Sequence, residues 1–256
     1  MKILFSIICF IDEGKKNSEM YSTYTKRTIN DVLEKTPCDI LVSTNFKERF
    51  IEEWNDRVII RQVDLKSHKI WMGGFNQLLK FFAIKDIESK YDWVLYIDCD
   101  AGLTQNWDTK IIFDNIEKYE KNGYDMMATR VDLLIKNELK NHENSSHATL
   151  FSEKFIFYNV TTENGPFEWM DASMPNEHIF LIKNNSKLIH MCQIMEDFCY
   201  RAESQEKNFI NPAMEAFEIG ISAKLSGYNM GEMYQYGEQQ IFKVVHNRNN
   251  IEKLKY

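Results

Sequence analysis

Apolar residues along this chain recur in two rhythms. Short unbroken apolar runs alternate with longer stretches in which apolar positions fall three or four residues apart. The run at residues 2–10, "KILFSIICF", predicts a central parallel strand covered on both faces. Residues 18–36 follow with Met20, Tyr24, Thr28 and Val32 on one helical stripe. Ser18 suits the cap of that helix, and Pro37 ends it. Residues 39–45 predict a second strand, 47–55 a short helix, and 57–64 a third strand. A helix is then expected over 70–90, with Phe75, Leu78, Leu79, Phe82 and Ala83 on its apolar stripe. The run "DWVLYID" at 92–98 predicts a fourth strand.

The second half is less regular. Residues 107–123 predict a helix closed by Gly123, and 124–130 another strand. The polar stretch 136–149 reads as a mobile loop. Apolar runs at 154–160 and 177–184 follow, then helices over 186–207 and 212–229. Pro212 suits the first turn of the last helix, which stops at Gly227. Residues 239–250 predict a final strand leading into a polar tail. Strands alternating with helices imply an α/β fold with a mostly parallel central sheet flanked by helices. The whole chain, 1–256, is expected to form one domain, with a ligand-binding half at 1–105 and an acceptor half at 106–256.

Composition narrows the picture. The content is 44% hydrophobic and 13% aromatic, enough for a sizeable core. The net charge is -7, and no dense basic block is present, so a nucleic-acid partner is not expected. Five scattered cysteines argue against a disulfide framework and for reduced thiols in a cytoplasmic setting. The N-terminal run reads as a buried strand rather than a signal peptide, and no run reaches the ~18 apolar residues of a membrane span.

The chemistry concentrates where the fourth strand ends. Asp98 and Asp100 flank Cys99, and strand alternation points both carboxylates one way and the thiol the other. In α/β sheets, ligands bind outside the carboxyl ends of strands. Two carboxylates there suit a hard cation, Mn²⁺ or Mg²⁺, with positions open for substrate phosphates. An apolar strand ending in Asp-x-Asp, about 100 residues into an α/β chain, resembles the GT-A glycosyltransferases. The resemblance implies a GT-A, Rossmann-like nucleotide-diphospho-sugar transferase fold. It also implies metal-dependent transfer of a sugar from a nucleoside-diphosphate-sugar, with a UDP-sugar favoured, to a glycan or other acceptor hydroxyl. Carried over, Asp100 is the direct metal ligand, and Asp98 contacts ribose or a metal-bound water.

Two further patches carry the resemblance. Many inverting members have a helix of the type Glu-Asp-aromatic-x that ends in Gly-Tyr, which Glu215, Phe217, Gly227 and Tyr228 match. Ala216 stands where the second acid is expected, so Glu215 and Glu218 are both candidates for the general base, and inversion is favoured over retention. His246, at the end of the last apolar run, matches a C-terminal histidine that completes the metal site in several members, with Lys243 and Arg248 within reach of phosphate. For the nucleotide, the strand ends offer Phe10 and Ile11, Thr44 and Asn45, and Asp64. Lys80, ahead of Lys85, is the candidate to face the donor from the helix before the aspartates. Gly73 and Gly74 would allow close backbone approach. The segment 165–180 groups Trp169, Asp171, Glu177 and His178, a mixture suited to sugar recognition, and Asp171 is a third candidate base. Two rival readings are a nucleotidyltransferase and a non-catalytic nucleotide- or carbohydrate-binding module of the same fold. The first ranks lower because residues 9–19 hold one glycine and no arginine.

Overall fold

The computed structural model describes residues 1–11, 18–50, 54–65, 77–103, 107–141, 160–162, 165–204 and 214–233. The first strands and helices are β1 (Ile3–Cys9), α1 (Ser18–Lys35), β2 (Asp39–Thr44), β3 (Val58–Gln62), α2 (Phe81–Ile84) and β4 (Trp93–Ile97). They continue with α3 (Thr109–Lys121), β5 (Met126–Ala128), α4 (Ile135–Asn141), β6 (Val160–Thr162), β7 (Gly165–Phe167) and β8 (Ile179–Lys183). The last are α5 (Ser186–Ser204), α6 (Met214–Leu225) and β9 (Met230–Glu232). A seven-stranded sheet runs in the order β3-β2-β1-β4-β8-β5-β9, and β6 and β7 form a separate hairpin.

Helices cover both faces of the large sheet. Ile3, Phe5, Ile7 and Cys9 of β1 join Ile29 and Val32 of α1 and Ile112 and Ile116 of α3 in one buried cluster. On the opposite face, Val94 and Tyr96 of β4 join residues of α2, α5 and α6. This two-sided burial explains the unbroken apolar run of β4, in which every residue is buried. Strands β3, β2, β1 and β4 are parallel, as their sequence alternation implies. Strand β8 is antiparallel to both β4 and β5.

Local chemistry sets the helix ends. Asp108 caps α3 by accepting a hydrogen bond from Lys110 N at 2.8 Å. Gly123 and Gly227 sit at φ +79° and +77°, left-handed positions that close α3 and α6 where the sequence places their stops. The helix expected over 70–90 is shorter where it is described. A 3-10 turn, Gln77–Lys80, runs into the single turn of α2. Arg61 ends it by donating to the carbonyls of Phe82 and Lys85 at 3.3 and 2.6 Å. The segment read as a loop from 136 is helical to Asn141, because Ile135 is fully buried and Leu139 packs against the same cluster. Of the apolar run at 154–160 only Val160, the first residue of β6, is among the described residues, and the strand expected at 239–250 lies wholly outside them. Strand β9 was not predicted. It is three residues long, and its Gly231 lies under the Tyr124 ring, where a side chain would not fit.

Candidate active site

The sheet changes winding direction between β1 and β4: the chain builds β2 and β3 on one side of β1, then crosses to place β4 on the other. Crevices of such sheets open at this switch, outside the carboxyl ends of the strands. Asp98 is the first residue after β4. Its backbone N donates to His178 O at 3.0 Å, one step beyond the Ile97–Ile179 pair of the β4–β8 ladder.

Its side chain is held by three donors. The Tyr96 hydroxyl, two residues earlier on the same strand face, donates to Oδ1 at 2.5 Å. Lys80 Nζ meets the same oxygen at 3.1 Å. His178 Nδ1 meets Oδ2 at 2.7 Å. Lys80 is buried at 6% exposure, donates also to Glu177 O at 2.8 Å, and lies over the Tyr96 ring. Tyr96 in turn stacks on Phe180 of β8. Burial opposes the charge on Asp98, yet the Lys80 ammonium, followed by His178 and Tyr96, outweighs it and holds the carboxyl well below the usual carboxylate range.

Asp100 is differently placed. It sits in the turn closed by Ala101 N on Asp98 O at 3.0 Å, and is partly exposed. The Thr28 hydroxyl of α1 lies within bonding reach of the carbonyls of Cys99 and Ala101, which fastens this turn to the helix beneath. Cys99 points the other way, into the cluster that includes Cys9. Contact with Cys9 and burial push its thiol well up. The two aspartates are placed differently: Asp98 directly follows the strand, its carboxylate held by Tyr96, Lys80 and His178, and Asp100 stands on the turn beyond it.

The remaining candidates separate clearly. Phe10 is buried at 6% exposure, edge-on to Phe82 in the apolar cluster. Thr44 is fully buried and accepts from Phe46 N at 3.1 Å, which shapes the turn after β2. Asn45 pairs both ways with the backbone of Ile11, at 2.7 and 2.8 Å, and ties the ends of β1 and β2 together. Asp64 follows β3 and is exposed. Lys85 pairs with Glu196 of α5 at 3.2 Å. Trp169 is core, 2% exposed and tilted against Phe217. Asp171 is exposed and ion-paired with Lys136 at 2.7 Å. Glu218 is 2% exposed, on α6 between two apolar clusters, and Glu215 lies in the first turn of that helix. Gly73, Gly74, Lys243, His246 and Arg248 lie outside the described residues.

The sequence grouped His178 with sugar-recognition residues but gave no link to Asp98. The link follows from the antiparallel pairing of β4 with β8, which sets position 178 opposite position 98. Tyr96 was legible only as a strand residue, although its spacing of two from Asp98 is the signal that finds it. Among the described residues, no group of three or more His, Cys, Asp or Glu side chains is gathered to hold a metal ion. No described helix is long and apolar enough to cross a membrane. The five cysteines form no disulfide among the described residues.

No family model matches the sequence. No curated protein matches it either. Among solved structures, the chain is similar to the crystal structure of mouse xyloside xylosyltransferase 1 in its apo form, with a TM-score of 0.49 and 7% sequence identity. That likeness covers 91% of this chain and 85% of the mouse chain.

Proposed function

We propose that this protein is a GT-A-type glycosyltransferase that moves a sugar from a nucleoside-diphosphate-sugar, with a UDP-sugar favoured, to an acceptor hydroxyl. The observation that carries this reading is the Asp98-x-Asp100 turn at the carboxyl end of β4, beside the switch between β1 and β4. Mg²⁺ and Mn²⁺ acting on phosphate substrates take one or two protein carboxylates and fill their other positions with water and phosphate. The Asp100 carboxylate, with Asp98 adjacent, fits that demand. When bound, such an ion neutralises charge on a departing diphosphate.

The chain's own residues supply the rest. Thr28 and the β4–β8 ladder hold the turn still, so Asp100 is presented without reorganisation. Lys80 keeps the neighbouring Asp98 charged and in place. An inverting transfer needs a carboxylate to take the acceptor proton, and Glu215 and Glu218 on α6 and Asp171 are the candidates.

The test is donor hydrolysis and transfer with a panel of UDP-sugars, with and without EDTA. Turnover should stop with EDTA and return with Mn²⁺. Asp100→Ala should abolish it while the thermal melt stays that of the parent. Metal-independent turnover, or near-parental rates in Asp100→Ala, would overturn the reading.

A further inference from the structure

Two thiols meet beneath the Asp-x-Asp turn, and neither takes part in the proposed transfer. Strands β1 and β4 are parallel neighbours in which Ile3 faces Trp93 and Ser6 faces Tyr96. The same count along the pair sets Cys9, the last residue of β1, beside Cys99. Alternation turns both side chains to one face. Cys9 belongs with Phe5, Ile7, Leu95 and Ile97 to the cluster under α1 and α3, and Cys99 packs against that cluster. The two thiols touch there. The other cysteines lie elsewhere. Cys38 precedes Asp39, which faces Leu4 toward the opposite end of β1, and Cys192 and Cys199 lie in the cluster on the other face of the sheet. Adjacent strands run about 4.8 Å apart. That spacing falls inside the range of about 4.4–6.8 Å that a disulfide spans between α-carbons.

We propose that Cys9 and Cys99 form a reversible disulfide when the chain meets a peroxide, and that the bond displaces the Asp98–Asp100 turn. Cys99, half-buried where Cys9 is buried, reacts first. Its sulfur attacks one peroxide oxygen, the O–O bond breaks, and a sulfenic acid and water result. The Cys9 sulfur then attacks the Cys99 sulfur, the S–O bond breaks, and the departing hydroxide takes the Cys9 proton as water. Two thiols are oxidised, one peroxide is reduced, and two waters leave. The apolar surroundings slow the first step, so the pair answers sustained exposure rather than a brief pulse. A dithiol reverses the bond by exchange. The turn is the side that yields. Strand β1 is fixed between its ladders to β2 and β4, and Cys9 itself is paired with Thr44. Cys99 lies past Ile97, the last residue of β4, in the turn that Ala101 N closes on Asp98 O at 3.0 Å. A covalent bond is shorter than a contact, so forming it draws this turn toward β1 and carries both aspartates with it. On the transferase reading that displacement switches turnover off, whereas the disulfide and the movement of the turn stand without that reading.

The test treats the full chain with hydrogen peroxide and returns a portion to dithiothreitol. Peptide mapping without reduction should find Cys9 joined to Cys99, and the thiols counted in denaturant should fall from five to three, the lost two being this pair. Hydrogen exchange at the Ala101 amide, followed by NMR, should rise about tenfold, as for the loss of one hydrogen bond, and return with dithiothreitol. Turnover of a UDP-sugar with Mn²⁺ should fall about a hundredfold, as for a misplacement of about 1 Å, and recover in the same way. Cys9→Ala should keep the parental turnover and show no peroxide loss that dithiothreitol restores. Mapping needs only the parent, so it decides the bond whether or not that variant folds. Five thiols retained, or a bond between other cysteines, overturns the disulfide. A mapped Cys9–Cys99 bond with unchanged exchange at Ala101 overturns the movement of the turn. A mapped bond with raised exchange and turnover intact overturns the switch. A parent without turnover fails the transferase reading on its own, because mapping and exchange are read with no substrate present.

Discussion

Gly220 lies in α6, facing the segment that leads to Glu177 and His178. A methyl group at its Cα would lie 1.8 Å from the carbonyl oxygen of Ser173, 2.9 Å from the carbonyl carbon and 3.2 Å from Pro175 Cδ. Carbon–oxygen contacts in proteins close to about 3.3 Å. Gly220→Ala therefore forces helix and segment apart by roughly 1.5 Å. The obstacle is backbone, so no side-chain rotation relieves it. Met174 N on Leu133 O at 2.7 Å and Asn176 N on Thr129 O at 2.8 Å resist the movement. Overpacking of this kind costs about 1–3 kcal/mol, and an immovable partner puts this site near 3. Alanine's helix propensity returns about 1 kcal/mol. The net loss of about 2 kcal/mol should lower Tm by about 4–8 °C for a chain of this size. Circular-dichroism melting measures it, with Lys224→Ala, at an exposed position of the same helix, as the control expected to stay within about 0.5 kcal/mol. A Tm equal to or above the parent's would show that propensity governs this site and that the reasoning from close approach is wrong.

Two further outcomes follow from the Asp98 cluster. Lys80→Met leaves a largely buried carboxylate with only His178 and Tyr96; it should cost about 3 kcal/mol, and a melt within a degree of the parent would refute the pairing. Acid should also act through Asp98. Its native pKa is depressed below the ordinary 3.8, so its contribution is fully present above that value and fades as pH falls below it, because the unfolded chain binds the proton first. Asp98→Asn should be less stable than the parent at pH 6, and its Tm should fall less steeply between pH 5 and 3; parallel curves would sink this account.

The apolar rhythm made the parallel half of the sheet legible because a strand covered on both faces is apolar nearly throughout, as β1 and β4 are, with Ser6 the one polar residue between them. It could not give the direction of β8. Periodicity marks a strand but carries no sign, and direction depends on the path of the connection. The Asp-x-Asp turn was visible, whereas the difference between its two aspartates was not. That difference rests on Lys80, Tyr96 and His178, and His178 reaches Asp98 across 80 residues of sequence. Phe10 and Asn45 sit at strand ends where a nucleotide pocket was expected. Burial of the ring and the two-way pairing with Ile11 belong to tertiary contacts that local pattern does not encode. The polar residues after Ile135 read as loop because one buried and one half-buried side chain a helical turn apart, Ile135 and Leu139, are too few to raise a periodic signal.

The antiparallel seat of β8 works as a ruler. Along it, positions facing each other on β4 and β8 keep a constant sum, so the polar edge at 176–178 is measured off from Trp93 and Lys183 rather than from the chain that precedes it. Residues added before Ser173 would alter the length of a connection and leave the measurement intact. One residue added between His178 and Lys183 would shift the count by one and turn alternate side chains to the opposite face, taking the imidazole away from its carboxylate. The five residues of β8 thus allow no variation in length.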